Sequence, residues 1–181
     1  INQNSYGHRS STYSNTQSQA NYQSRTRYEE EQRNTFRFSL LVLASYIIRA
    51  DGKVMHSEMN LLRQWLRNNF GQNAVNDGEQ IILKLFEQQK ILGYSEFRSM
   101  VMGSCEQLRQ IMSYEQRLQL LNFLVMIVQA DGFVATAEVN ALRECTLALG
   151  LSETDLNSML NLQDAGTNLD AAYKVLGVSP T

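Results

Sequence analysis

Apolar positions along the 181-residue chain fall into blocks with a helical period. From about Thr35 to Ala50 the sequence is apolar around most of its circumference, through Phe36, Leu40, Leu41, Val42, Leu43, Ile47 and Ile48, which predicts a helix enclosed by others. Met59, Leu62, Trp65, Leu66 and Phe70 then recur at the spacing of an amphipathic helix over residues 57–70, stopped by Gly71. Gln72 to Gly78 reads as a polar connection, and Asp77 with Gln80 resembles a capping box for a helix carrying Ile81, Ile82, Leu85 and Phe86. Ser95 is placed as the cap of the next, with Phe97, Val101, Cys105 and Leu108 inside and Gly103 marking a bend or a close neighbour. Ser113 with Gln116 opens a second enclosed helix that runs to about Ala130. Helices over 136–149 and from Ser152 through Leu160 complete the set. The expectation is an all-α bundle of about seven helices over residues 35–162.

Residues 1–34 have another character. Ser, Asn, Gln, Tyr and Thr dominate and aliphatic side chains are scarce, so this segment is expected to be a disordered linker, unable to bury enough surface to offset its conformational entropy. Its interleaved Tyr6, Arg9, Tyr13, Tyr22, Arg25, Arg27 and Tyr28 have the chemistry to stack on bases or to self-associate, but they read first as parts of a spacer.

The chain repeats itself. Ala50-Asp51-Gly52-Lys53-Val54-Met55-His56-Ser57-Glu58 returns 80 positions later as Ala130-Asp131-Gly132-Phe133-Val134-Ala135-Thr136-Ala137-Glu138. At the same offset Asn60, Leu62 and Arg63 match Asn140, Leu142 and Arg143, while Leu40-Leu41 and Ile47-Ile48 match Leu120-Leu121 and Ile127-Val128. A duplicated helix–turn–helix unit follows.

Composition agrees with helices and narrows the function classes. One proline and 10 glycines give too few turns for an all-β fold. A net charge of −2 supplies no basic footprint for nucleic acid, so none is expected as partner. No apolar run reaches the roughly 18–20 residues of a membrane span. The chain begins at Ile1, which suggests a fragment. Cys105 and Cys145 sit in apolar helical patterns and read as small buried hydrophobes rather than as a disulfide.

The repeated turn invites a calcium reading. In EF-hand register Gly52, Val54 and Glu58 fit the sixth, eighth and twelfth positions, as do Gly132, Val134 and Glu138. Positions one and three would be Ile47 and Arg49, or Ile127 and Gln129, and these side chains supply no carboxylate. A turn-and-cap role accounts for the repeat without metal. Glycine provides the left-handed conformation, valine packs across the turn, Asp51 and Asp131 cap it, and Glu58 and Glu138 reach back to a free backbone N–H. What remains is an acidic patch of Asp51, Glu58, Asp131 and Glu138 that would hold a divalent cation weakly if the turns meet. No cofactor is expected otherwise. His8 and His56 each lack a second histidine at ligand spacing, and no nucleophile elbow or phosphate loop is present, so an enzyme is not expected.

A buried helix, Ala-Asp-Gly-x-Val-x-x-x-Glu, an amphipathic helix, and the same unit again resemble the TerB-like domain of tellurite-resistance proteins and of DjlA-type co-chaperones. Beyond a linker from 163, Asp170-Ala171-Ala172-Tyr173-Lys174-Val175-Leu176-Gly177-Val178 resembles the opening of a J domain. The resemblance implies a non-catalytic interaction or regulatory module of a co-chaperone. Its J domain would stimulate the ATPase of a DnaK-class chaperone, in the cytoplasm or tethered to the inner membrane by an N-terminal segment. The His-Pro-Asp motif of such a domain is expected downstream of Thr181. The same resemblance implies Asp51, Glu58, Asp131 and Glu138 as metal ligands, with a metal-stress module as the alternative function.

Overall fold

The computed structural model describes residues 11–164, with side chains from 19 to 161. Seven α-helices and no strand occur among them: α1 (Ser11–Ile48), α2 (His56–Phe70), α3 (Gln72–Leu92), α4 (Tyr94–Ile111), α5 (Tyr114–Val128), α6 (Thr136–Ala148) and α7 (Glu153–Asp164). The chain divides into two compact units, one up to Arg37 and one from Phe38 on. The J-domain-like stretch 170–178 lies outside the described residues.

In the first unit the structure departs from the sequence expectation. The disordered linker expected through residue 34 is helical from Ser11. Polar composition removes a core-facing stripe, not helix propensity, and Gln, Arg and Glu are good helix formers. Local bonds add to this: Arg25 pairs with Glu29 at 3.3 Å, Gln32 Nε2 donates to Tyr28 Oη at 2.7 Å, and Thr26 Oγ1 donates to the Tyr22 carbonyl at 2.8 Å. Tyr22 and Tyr28 remain exposed.

The second unit is built around two enclosed helices. Every residue from Ser39 to Ile48 is buried, and in α5 so are Leu120, Leu121, Phe123, Leu124, Val125, Ile127 and Val128. Around them α2 packs on α3 and α5, α4 on α3 and α6, and α7 on α5 and α6. Cys105 and Cys145 are free thiols, fully buried where α4 meets α6. The Ser113–Gln116 capping box forms, with Gln116 N donating to Ser113 Oγ at 3.2 Å and Ser113 N to Gln116 Oε1 at 2.8 Å. Ser152 and Asp155 make the same reciprocal pair at the start of α7.

Two helix starts differ from expectation for one reason. α3 begins at Gln72, so Asp77 and Gln80 lie inside it, and α4 begins at Tyr94, so Ser95 is not its cap. In both places a single glycine of positive φ, Gly71 or Gly93, closes one helix and opens the next, leaving no room for a polar connection. The buried face of α3 runs Ala74, Val75, Gly78, Ile82, Leu85 and Phe86, a helical period hidden in sequence because its third member has no side chain. Gly78 has to be small: a Cβ there would lie 2.6 Å from Leu66 Cδ1 of α2, and Leu66 is itself fully enclosed. Gly103, expected to mark a bend or close contact, meets nothing within 4 Å.

These two glycines give opposite expectations in urea unfolding. Gly78→Ala should overpack the α2–α3 crossing and cost about 1–3 kcal/mol. Gly103→Ala, on an exposed stretch of helix, should stabilise by about 0.5–1 kcal/mol. A stabilised Gly78→Ala protein would contradict the close crossing.

Candidate functional site

The two Asp-Gly turns have the same geometry, bond for bond. Gly52 N donates to the Arg49 carbonyl at 2.9 Å and Gly132 N to that of Gln129 at 3.0 Å, with φ of 82° and 81° at the glycines. Only glycine takes that conformation without strain. Asp51 Oδ1 accepts from Lys53 N at 2.9 Å, as Asp131 Oδ1 does from Phe133 N at 3.0 Å. Glu58 Oε2 accepts from Met55 N, and Glu138 Oε2 from Ala135 N, both at 2.8 Å. Each glutamate thus supplies the half of a capping box that Met55 and Ala135 cannot. The valines depart from expectation: Val54 is exposed and Val134 half-buried, because the turn carries them along the surface.

The repeat also explains Asn60 and Arg63. Arg63 Nη1 donates to Asn60 Oδ1 at 2.9 Å while its Nε reaches Glu79 of α3 at 3.2 Å. Arg143 Nη1 donates to Asn140 Oδ1 at 3.0 Å and its Nε pairs with Glu153 of α7 at 3.3 Å. In each copy one arginine fastens the second helix to the helix that follows.

Sequence could not say whether the turns meet, and in the structure they do. Glu58 and Glu138 are 1% and 4% exposed and their carboxyls lie within reach of each other, with Asp51 and Asp131 within electrostatic reach. Burial, followed by the neighbouring Glu138 carboxyl and the Asp131 charge, pushes the Glu58 carboxyl up to about 8 against the stabilising bond from Met55 N. Glu138 is also raised, by burial first and then by the two aspartates, although the bonds from Ala135 N and Glu58 act the other way. At neutral pH the pair therefore keeps a proton, which lets the two carboxyls bond to each other instead of repelling.

This donor set does not fit the divalent cation that the resemblance implied. One oxygen of each glutamate and of each aspartate already accepts a backbone N–H, and the glutamates share a proton. Among the described residues no group of three or more His, Cys, Asp or Glu is arranged to hold a metal ion.

A second feature lies between the end of α1, the α3–α4 corner and α6. It is a groove of about 430 Å³ walled by Tyr46, Tyr94 and Phe97 and lined also by Arg49, Lys90 and Glu144. Tyr46 is almost fully buried, and its hydroxyl donates to Glu144 Oε2 at 3.3 Å and lies 3.2 Å from that of Tyr94. Tyr94 Oη donates to Glu144 Oε1 at 3.4 Å, and Arg98 forms an ion pair with Glu144. Burial, the Tyr94 hydroxyl and the Glu144 charge together raise the Tyr46 phenol, so it stays a donor at any physiological pH. Sequence reasoning missed this site. Tyr46 and Phe97 read as core, Tyr94 fell in a connection, and only the crossing of α4 and α6 brings Arg98 to Glu144.

Residues 37–161 match the model of the tellurite resistance protein TerB family. The chain belongs to the TerB family. Its TerB domain thus spans the two repeats and all of α2 to α6, including both Asp-Gly turns and the groove. No curated protein and no solved structure matches the chain. No helix among the described residues of the TerB domain or before it is long and apolar enough to cross a membrane.

The shared proton sets a pH dependence. Because the folded-state pKa of Glu58 lies above the ordinary carboxylate value, its contribution to stability is complete below pH 4.5 and lost as pH rises to about 8. The thermal midpoint followed by circular dichroism should fall from pH 5 to pH 8.5. Glu58→Gln, whose amide imitates the protonated acid, should flatten that slope and raise the midpoint at pH 8.5. An unchanged slope in the variant would place the titrating group elsewhere.

Proposed function

We propose that this TerB domain is a non-catalytic interaction module of a J-domain co-chaperone, holding a polypeptide partner while the J domain engages a DnaK-class chaperone. The observation that carries the interaction reading is the α3–α4 corner. Ile91 is 72% exposed and Tyr94 68%, with Leu92 between them also exposed, and they adjoin the aromatic groove. Side chains of this kind, clustered beside a concavity, are what a protein-binding surface offers. The link to a J domain rests on the sequence from Asp170 to Val178. Within the TerB domain the paired glutamates serve as an internal clasp that fixes the platform.

The reading frame beyond Thr181 tests the link directly: it should encode a His-Pro-Asp motif within one J-domain length, and a frame without it ends the co-chaperone assignment. The rival is an acidic divalent-cation module related to tellurite resistance, and the convergence of Asp51, Glu58, Asp131 and Glu138 is what favours it. Calorimetric titration with calcium, manganese and zinc is expected to give no heat that Asp51→Asn/Asp131→Asn abolishes. Heat removed by that double substitution would replace the interaction reading with the metal one.

A further inference from the structure

The duplication supplies an internal comparison for the groove. A shallower concavity on α2 and α5 is lined by Ser57, Asn60, Leu61, Gln64, Met126, Gln129 and Ala130, and all seven are the partners, at the offset of 80, of residues lining the first groove. The same architectural position therefore occurs twice, once where α6 faces the end of α1 and once where α2 faces the end of α5. Asn60 and Asn140 are the same in both, as are Ala50 and Ala130. The differences carry the chemistry. Tyr46, Arg49 and Glu144 stand where the second concavity has Met126, Gln129 and Gln64. One copy is neutral, and the other has gained two charges and a buried phenol.

Those charges do not cancel within the groove. Glu144 is paired with Arg98 and accepts from both tyrosines, so its charge is already answered within the fold. Arg49, whose guanidinium lies 5.7 Å over the Phe86 ring, faces no carboxylate partner in that contact. Lys90 is more than half exposed, and its ion pair with Glu87, at the helix surface, is worth little. α4 also begins at the groove, on Gly93, and no side chain caps its first N–H groups. Arg49, Lys90 and these donors favour a carboxylate, while the exposed Tyr94 and Ile91 offer an apolar surface beside it.

We infer that the groove binds an acidic peptide segment, one carboxylate held between Arg49, Lys90 and the amino end of α4, with an adjacent leucine or phenylalanine against the exposed Tyr94 and Ile91. This deepens the interaction-module reading and rests on it. It names the partner's chemistry and confines binding to one of the two repeat-related positions.

The test uses the full chain and a fluorescein-labelled octapeptide pool in which every position is Asp, Glu, Leu or Phe. A twin pool carries Asn and Gln in place of the acids. Fluorescence polarisation should show the acidic pool binding at least tenfold more tightly. Arg49→Gln/Lys90→Gln should weaken it about tenfold, and Gln129→Ala should leave it unchanged. Amide shift perturbations should fall on Gly93, Tyr94 and Asn140 rather than on Asn60 and Gln64. Should the double variant be less stable, Lys90→Gln alone, at an exposed position, should still weaken binding several-fold. Equal binding of the twin pool, or shifts centred on Asn60, would overturn the acidic-peptide inference and leave the interaction module standing. Binding of neither pool would overturn both.

Discussion

Two carboxyl groups meet in the interior of this protein, and ionising both at once costs stability. Glu58 and Glu138 are each tied to the backbone of their own turn, so neither can swing away to relieve the repulsion. A proton between them resolves it, and the resulting bond joins the two repeats at their most similar point. The rest of the second unit is arranged so that this contact occurs. α1 and α5 are enclosed and end in the same turn, and α2 and α6 start from that turn with the glutamate already aimed inward. A buried acid pair stabilises less than apolar packing of equal volume would, but it allows few alternative registers.

Much of this was legible in sequence, for identifiable reasons. The enclosed helices announced themselves because Leu40 to Ile48 and Leu120 to Val128 have no polar face wide enough to meet water. The turns were legible because glycine at a positive φ and a glutamate three places past the cap are local requirements, satisfied within a few residues. Gly71 as a helix junction was half legible: the end of the helix before it was foreseen, the immediate restart was not. Gln72 to Gly78 looked like a connection because Gly78 contributes to the buried face by having no side chain.

What stayed hidden depends on contacts between distant parts of the chain. The Glu58–Glu138 bond joins residues 80 positions apart, and only tertiary structure shows that the acidic patch is a proton-sharing clasp. The groove is hidden for the same reason, since Tyr46, Tyr94, Arg98 and Glu144 come from three helices. Its repeat-related counterpart was in principle visible once the offset was known. Aligning the copies sets Tyr46 against Met126 and Glu144 against Gln64, but without the fold nothing marks those positions as lining anything.

The pairing of the repeats has a consequence for how such a fold can arise. α2 of the first copy packs on α5 of the second, while Tyr46 of the first donates to Glu144 on α6 of the second. The contacts run both ways between the copies, with the two glutamates where they meet. Because the halves share one chain they need not stay identical, and the unequal grooves are what that freedom permits.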